Sequence, residues 1–293
     1  MSIGFPSRRD LLRACIGALL VDAASGATPA SNGSMAIARI EETLGGRLGV
    51  FALNTGNGRF LRHRADERFA MCSTFKWVLA AAILAAVDRR EVSLDARVAY
   101  GAADILEYAP ITARHVAEGF LPVRTLCRAV ITVSDNTAAN LLLRKLGGPT
   151  TLTGFIRSCD DSMTRLDRYE PDLNENAAGD VRDTTTPRAM VALMQKILCG
   201  DVLADASREL LFGWMEDCET GRNRLRAGVP DGWKVGDKTG SGRRGAASDV
   251  AIVFPPGGAP VLIAAYTSDV AADASAVAAG QAAVGGLAVR ELA

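Results

Sequence analysis

The stretch Ser73-Thr74-Phe75-Lys76-Trp77-Val78-Leu79-Ala80-Ala81-Ala82-Ile83-Leu84-Ala85-Ala86-Val87 decides the fold. Beyond Lys76 it is apolar almost all round instead of along one stripe. A helix of that kind is covered on every side and lies inside a protein. A long buried helix needs layers around it, and the flanking sequence supplies them. Upstream, residues 34–44 read as a helix ending at Gly45-Gly46. Two extended runs follow at 48–54 and 59–63, joined by Thr55-Gly56-Asn57-Gly58, a hairpin signal. Downstream, helical patterns fill 123–133, 137–145, 152–159, 187–199 and 207–217, with Pro187 suited to a first helical turn. Strands resume at 231–239, 248–254 and 260–267, and an alanine-rich helix closes the chain from 271 to 292.

Strands therefore lie at both ends and helices in the middle. Short turns between successive strands favour antiparallel pairing, and segregated elements give an α+β class instead of alternating α/β. The architecture expected is an all-helical domain, residues 71–215, inserted into a sheet domain of residues 31–70 and 216–293. Both termini complete that sheet domain, an antiparallel sheet flanked by helices. No internal repeat is present.

Bulk composition narrows the function. The 293 residues carry 33 basic and 33 acidic side chains and 48% hydrophobic residues, enough for a sizeable core. With no net charge and no long basic run, neither nucleic acid nor an anionic membrane is an expected partner. Residues 1–30 read as an export signal. Arg8-Arg9 precede an apolar stretch at 14–21 and then small residues to Ala30, the pattern of a Tat signal. That stretch is too short to span a bilayer. A periplasmic or secreted monomer is expected, with cleavage near Ala27 or Ala30.

Export removes Cys15 and leaves Cys72, Cys127, Cys159, Cys199 and Cys218, an odd number. Their spacings lack paired zinc ligands, and His63 and His115 are the only histidines. Both are expected to face solvent. No metal, no cofactor and no Ser-His-Asp triad is expected, so proton chemistry falls to lysine and carboxylate.

Four short polar clusters offer those groups. Ser73 and Lys76, three apart, share one face at the start of the buried helix. There Ser73 meets unpaired backbone N–H groups and the positive end of the helix dipole. Its own N–H could be half of an oxyanion hole. Lys76, held among apolar neighbours, favours the neutral amine and can accept a proton. Ser134-Asp135-Asn136 opens the next helical run and reads equally as a helix cap. Lys238-Thr239-Gly240 ends a strand and is followed by Ser241-Gly242. Glycines there let another backbone approach the strand edge, and Lys238 can pair with a carboxylate, although the triplet alone is an ordinary strand end. The fourth cluster is Glu170-Pro171-Asp172-Leu173-Asn174.

Together the S-x-x-K, S-D-N and K-T-G motifs resemble those of class A serine β-lactamases and penicillin-binding proteins. The likeness extends from about 47 to 269 and includes Ala65-Asp66-Glu67-Arg68-Phe69, residues 134–143, 165–174 and 182–187. The resemblance implies that Ser73 is the nucleophile, that Lys76 and Glu170 share the base work, and that Ser134 relays a proton to the leaving lactam nitrogen. It implies that Asn136 binds the substrate's amide side chain, that Lys238 and Thr239 hold its carboxylate, and that the Ser73 and Ser241 amides cradle the oxyanion beside Gly240. It places the active site in the cleft between the two domains. Glu170 and Asn174, four apart, can together position one water for hydrolysis of the ester. The resemblance further implies that an Arg168–Asp183 ion pair closes their loop.

Tyr108 aligns with the family's cleft-wall aromatic, or is a surface residue. Arg224 aligns with a guanidinium that some members turn on the substrate carboxylate. Others carry that arginine where this chain has Ala246-Ala247, so Arg224 is the better candidate. The alternative is a solvated arginine beside Arg222 and Arg226. Carbapenem-hydrolysing members bridge the cysteine before the nucleophile to one just past K-T-G. Here that place is Gly242, and Cys127 faces Ala80, so Cys72 and Cys127 are expected as buried thiols. The reading is a β-lactamase acting on penicillins and cephalosporins through a serine ester. Its rivals are a D,D-peptidase, expected to lack the Glu170/Asn174 water site, and a β-lactam-sensing receptor domain that stays acylated.

Overall fold

The computed structural model describes residues 33–293, so the export signal lies outside the described residues. In chain order its main elements are α1 (Gly33–Leu44), β1 (Arg47–Asn54), β2 (Phe60–His63), α2 (Phe75–Asp88), α3 (Val123–Thr132), α4 (Asn136–Leu146) and α5 (Pro149–Ser158). Then come α6 (Pro187–Met194), α7 (Asp205–Glu216), β3 (Lys234–Ser241), β4 (Ala247–Phe254), β5 (Val261–Ser268) and α8 (Ala274–Leu292). One five-stranded sheet runs β2-β1-β5-β4-β3, every pair antiparallel. Strands from both ends of the chain thus share one sheet, with helices between them in sequence. The fold is α+β.

The α2 helix lies where its composition demands: Phe75 to Ala86 are all buried. It packs with α3, α5 and α6 residues in a core that also covers one face of the sheet through Phe254, Leu262 and Tyr266. The other face is covered by α1 and α8, with Ile37, Leu44, Val284 and Leu287 against Val50, Val253 and Ile263. The alternating sides of β1, β4 and β5 thus serve two cores, as a strand covered on both faces must. Between the hairpin and α2, Phe69-Ala70 pairs with Thr184-Thr185 and ties the loop after α5 to the start of the nucleophile segment.

Several boundaries differ from the sequence reading for identifiable reasons. β3 begins at Lys234 instead of 231, because Pro230 accepts from the Trp233 amide in a turn whose Gly232 has φ +82°. It also runs on to Ser241, paired with Ala247. α8 starts at Ala274, where the Asp273 carboxylate caps the amides of Ser275 and Ala276. α6 ends at Met194, and Gln195–Cys199 continue as a wider π turn. His63 is not solvent-facing: its ring sits half-buried 3.1 Å from the Glu41 carboxylate. His115 is exposed beside Glu118. Cys72, Cys127, Cys159 and Cys218 are buried free thiols. No described helix is long and apolar enough to cross a membrane.

Candidate active site

Three elements and one loop converge on a single cluster. The short 3-10 turn Cys72–Thr74 delivers Ser73 just before α2 begins. Ser134, at the junction of α3 and α4, takes φ +62°, a left-handed conformation unusual outside glycine. Its neighbour Asp135 holds that junction. One carboxylate oxygen caps the Ala138 amide at 2.8 Å, and the other accepts from the amides of Ile111 and Thr112, both at 2.9 Å. The cap reading of Asp135 is therefore correct, and the same carboxylate anchors the loop carrying Tyr108. Tyr108 is half exposed, and its carbonyl accepts from the Asn136 amide at 3.0 Å.

Lys76 is the hub. Its wholly buried Nζ donates to the Ser134 carbonyl at 2.8 Å, to Ser134 Oγ at 3.3 Å and to Asn136 Oδ1 at 2.5 Å. It also pairs with Glu170 Oε1 at 3.0 Å, and Ser73 Oγ donates to that same oxygen at 3.3 Å. Burial pulls the Lys76 amine below the usual lysine range, and the adjacent Glu170 carboxylate opposes that pull. Lys238 closes the far side, donating to Ser134 Oγ at 3.1 Å and to the Thr239 carbonyl at 2.6 Å. Burial lowers its amine to about 8, and Lys76 adds to the effect. Ser134 Oγ thus stands between two lysines.

Glu170 is buried and held at several points. Asn140 brackets its backbone, Oδ1 accepting from the Glu170 amide and Nδ2 donating to its carbonyl, both at 2.9 Å. Asn174 Nδ2 donates to Glu170 Oε2 at 2.5 Å, while Asn174 Oδ1 is buried without a partner among the described residues. The peptide between Glu170 and Pro171 is cis. The expected Arg168–Asp183 pair is present, Nε to Oδ2 at 2.5 Å. The other oxygen of Asp183 takes the amides of Asp167 and Arg168 at 2.7 and 3.0 Å. Asn140 escaped the sequence reading. Its signal was an amide inside the apolar run Ala138-Ala139-Asn140-Leu141-Leu142.

The edge strand β3 presses against the nucleophile. A Cβ on Gly240 would stand 2.8 Å from the Ser73 amide nitrogen and 2.4 Å from Ser248 Oγ, so only glycine fits. One on Gly242 would stand 2.7 Å from both Cys72 Sγ and the Asn174 carbonyl oxygen. Burial pushes the Cys72 thiol up to about 12, with Glu170 adding to it. Thr239 Oγ1 lies 2.5 Å from Thr220 Oγ1. Arg224 reaches across from the preceding loop: Nη1 donates to the carbonyls of Gly240 and Ser248 at 2.8 and 2.9 Å, and Nη2 to Ser241 Oγ at 2.8 Å. Three bonds therefore hold this guanidinium, two to the strand that carries K-T-G and one to Ser248 on β4, instead of leaving it to solvent alone.

A buried serine–lysine–carboxylate cluster beside a glycine-lined strand edge, on this fold, defines a serine acyl-transfer enzyme. The sequence profile of the β-lactamase enzyme family matches residues 34–288, and the chain belongs to that family, in its class A. It is 51% identical over 230 residues to β-lactamase L2 of Stenotrophomonas maltophilia, covering 78% of this chain and 76% of that one. Identity to the carbapenem-hydrolysing β-lactamase KPC of Klebsiella oxytoca is 45% over 231 residues, 78% of each chain. Among solved structures, the ancestral class A β-lactamase of Gram-negative bacteria is 52% identical with a TM-score of 0.87, over 88% of this chain and 99% of that one.

Proposed function

We propose that this β-lactamase opens its substrate through an ester on Ser73 and releases it with a water activated by Glu170. One observation carries the reading: Glu170 Oε1 accepts from both Ser73 Oγ and Lys76 Nζ, at 3.3 and 3.0 Å, and Lys76 in turn reaches Ser134 Oγ. A proton leaving the serine therefore has a continuous path to Ser134. Ser73 Oγ attacks the lactam carbonyl carbon, and its proton passes to the Lys76–Glu170 pair. The amides of Ser73 and Ser241 receive the oxyanion, a donor being worth about 3 kcal/mol in such a hole. The C–N bond breaks as Ser134 Oγ gives its proton to the lactam nitrogen and regains one from Lys76. In the second half, water held by Glu170 and the free Asn174 Oδ1 loses a proton to Glu170 and attacks the ester carbonyl. Ser73 leaves as the alcohol, taking that proton back from the Lys76–Glu170 pair, which restores the starting state.

In this reading Asn136 binds the substrate's amide side chain, and Tyr108 walls the cleft. Lys238, Thr239, Arg224 and Ser241 gather at one end, a fit for the carboxylate that penicillins and cephalosporins share. Gly242 leaves Cys72 without a bridging partner, which favours those two classes over carbapenems. We infer a division near residues 71 and 215, with the site in the cleft between the two parts. Export by a Tat-like signal, a periplasmic or secreted location and a monomeric state complete the reading. Turnover of a chromogenic cephalosporin tests it. A stoichiometric burst without turnover would point to a receptor or D,D-peptidase.

Two further outcomes are expected. Arg224→Ala should lower kcat/KM for penicillins by about 1.5–3 kcal/mol, the range for a hydrogen bond to a charged group. Unchanged kinetics across several β-lactams would remove Arg224 from the binding site. For Lys238 the sign follows from its lowered amine: protonated below about 8, it attracts a carboxylate, and above that pH it does not. Hence kcat/KM should fall as pH rises through about 8, and Lys238→Arg should move that fall to higher pH. A fall that stays in place in the arginine variant would assign it to another group.

A further inference from the structure

Behind the K-T-G strand lies a buried polar layer that the reaction above does not use. Asp249 on β4 stands directly opposite Thr239 on β3 in the sheet register, and it is wholly buried. Its Oδ2 accepts from the Leu225 amide at 3.0 Å, while Oδ1 has no partner among the described residues. Asp237, two residues before Thr239, points to the same face and pairs there with Arg226, whose Nε donates to Oδ1 at 2.7 Å. The loop from Cys218 to Gly228 wraps over both acids. It passes so close that a Cβ on Gly221 would stand 1.9 Å from Asp237 Oδ2.

Leu225 is the residue next to Arg224, and its backbone is gripped from two sides. Asp249 holds the amide. On the other side, Gly285 of α8 comes so near that a Cβ there would stand 2.2 Å from the Leu225 carbonyl oxygen. Arg224 meanwhile donates to the carbonyl of Ser248, the residue before Asp249, at 2.9 Å. One short segment of β4 therefore fixes both the backbone from which Arg224 departs and one of the groups its guanidinium reaches. We propose that Asp249 is a positioning residue for Arg224, holding the Leu225 amide so that the guanidinium lies along the K-T-G strand. The inference rests on the reading of Arg224 as the carboxylate clamp.

The chemistry explains why an acid serves here. Burial, with Asp237 adding to it, pushes the Asp249 carboxyl well above the usual carboxylate range. As the neutral acid it supplies one acceptor oxygen to a buried N–H without leaving a full charge unpaired. An amide of the same shape offers the same acceptor. Asp249→Asn is thus expected to keep the parent kinetics, whereas Asp249→Leu, similar in size with no acceptor, leaves the Leu225 amide unsatisfied and the turn free to shift.

The test compares steady-state kinetics on a penicillin, with folding checked by circular dichroism and thermal melting. Asp249→Leu should raise KM about tenfold or more with kcat little changed, and Asp249→Asn should stay within about threefold of the parent. Gly285→Ala, which pushes the same turn from the opposite side, should reproduce the KM effect and keeps the test open should Asp249→Leu not fold. In an Arg224→Ala background, Asp249→Leu should add less than about twofold, since nothing remains to position. Parent-like kinetics for the folded Asp249→Leu and Gly285→Ala variants beside an impaired Arg224→Ala would overturn the proposal. So would a loss of equal size in the Arg224→Ala background. Parent-like kinetics for Arg224→Ala itself would instead remove the clamp, and this role with it.

Discussion

Ser73→Ala is expected to abolish steady-state hydrolysis, by about 10⁴-fold or more, while the protein keeps its fold. The size follows from chemistry, because the hydroxyl oxygen forms the covalent bond and no neighbour can replace it. Lys76 is buried among carbonyl, amide and carboxylate partners with its donors engaged, and Ser134 Oγ is shared by two lysines. The modest effect on stability follows from geometry. Among the described residues Ser73 Oγ makes a single side-chain bond, 3.3 Å long, to a carboxylate that keeps Lys76 and Asn174 as partners. Far-ultraviolet circular dichroism and the melting temperature should therefore match the parent. Substantial turnover by a purified variant, with contaminating enzyme excluded, would move the nucleophile elsewhere.

The buried helix was legible because its apolar residues run round every face, a pattern no surface helix can carry. The sheet was legible as strands from both ends of the chain, since hairpin glycines and short turns leave only antiparallel neighbours. Strand limits were less so. Asp231 and Lys234 look alike as strand residues, and only the Pro230–Trp233 turn separates them. The motif residues stood out because serine, lysine and asparagine are costly to bury without a purpose. Asn140 and Asp249 stayed hidden for the opposite reason. Each serves backbone groups 30 and 24 residues away in sequence, and nothing local to either residue marks that partner. Arg224 was the most ambiguous from sequence, one arginine among three in five residues. Its three bonds to β3 and β4 could be seen only once the strands were in place.

Glu170→Ala separates the two halves of the reaction. Acylation needs a base near Ser73, and deacylation needs a water aimed at the ester carbonyl. Glu170 touches both needs: Oε1 meets Ser73 and Lys76, and Oε2 meets Asn174. Removing it also removes the one carboxylate that pairs with Lys76 among the described residues. Breaking a buried pair costs about 3–5 kcal/mol when the remaining charge stays. Lys76, already pulled down by burial, escapes most of that cost by losing its proton. The variant should therefore fold with a neutral amine beside Ser73, still bonded to the Asn136 and Ser134 oxygens and able to accept the serine proton. Acylation survives in part. Deacylation has no replacement, because Asn174 alone offers an amide and not a base, and its rate should fall by roughly 10²–10⁴. Incubation with a penicillin should load one penicilloyl group on Ser73, seen as a stable mass increase of the intact protein. A variant that turns over as fast as the parent would show that Glu170 is not the base. A parent that itself holds the adduct for hours would show that the water site does not work, leaving an acylated receptor in place of a hydrolase.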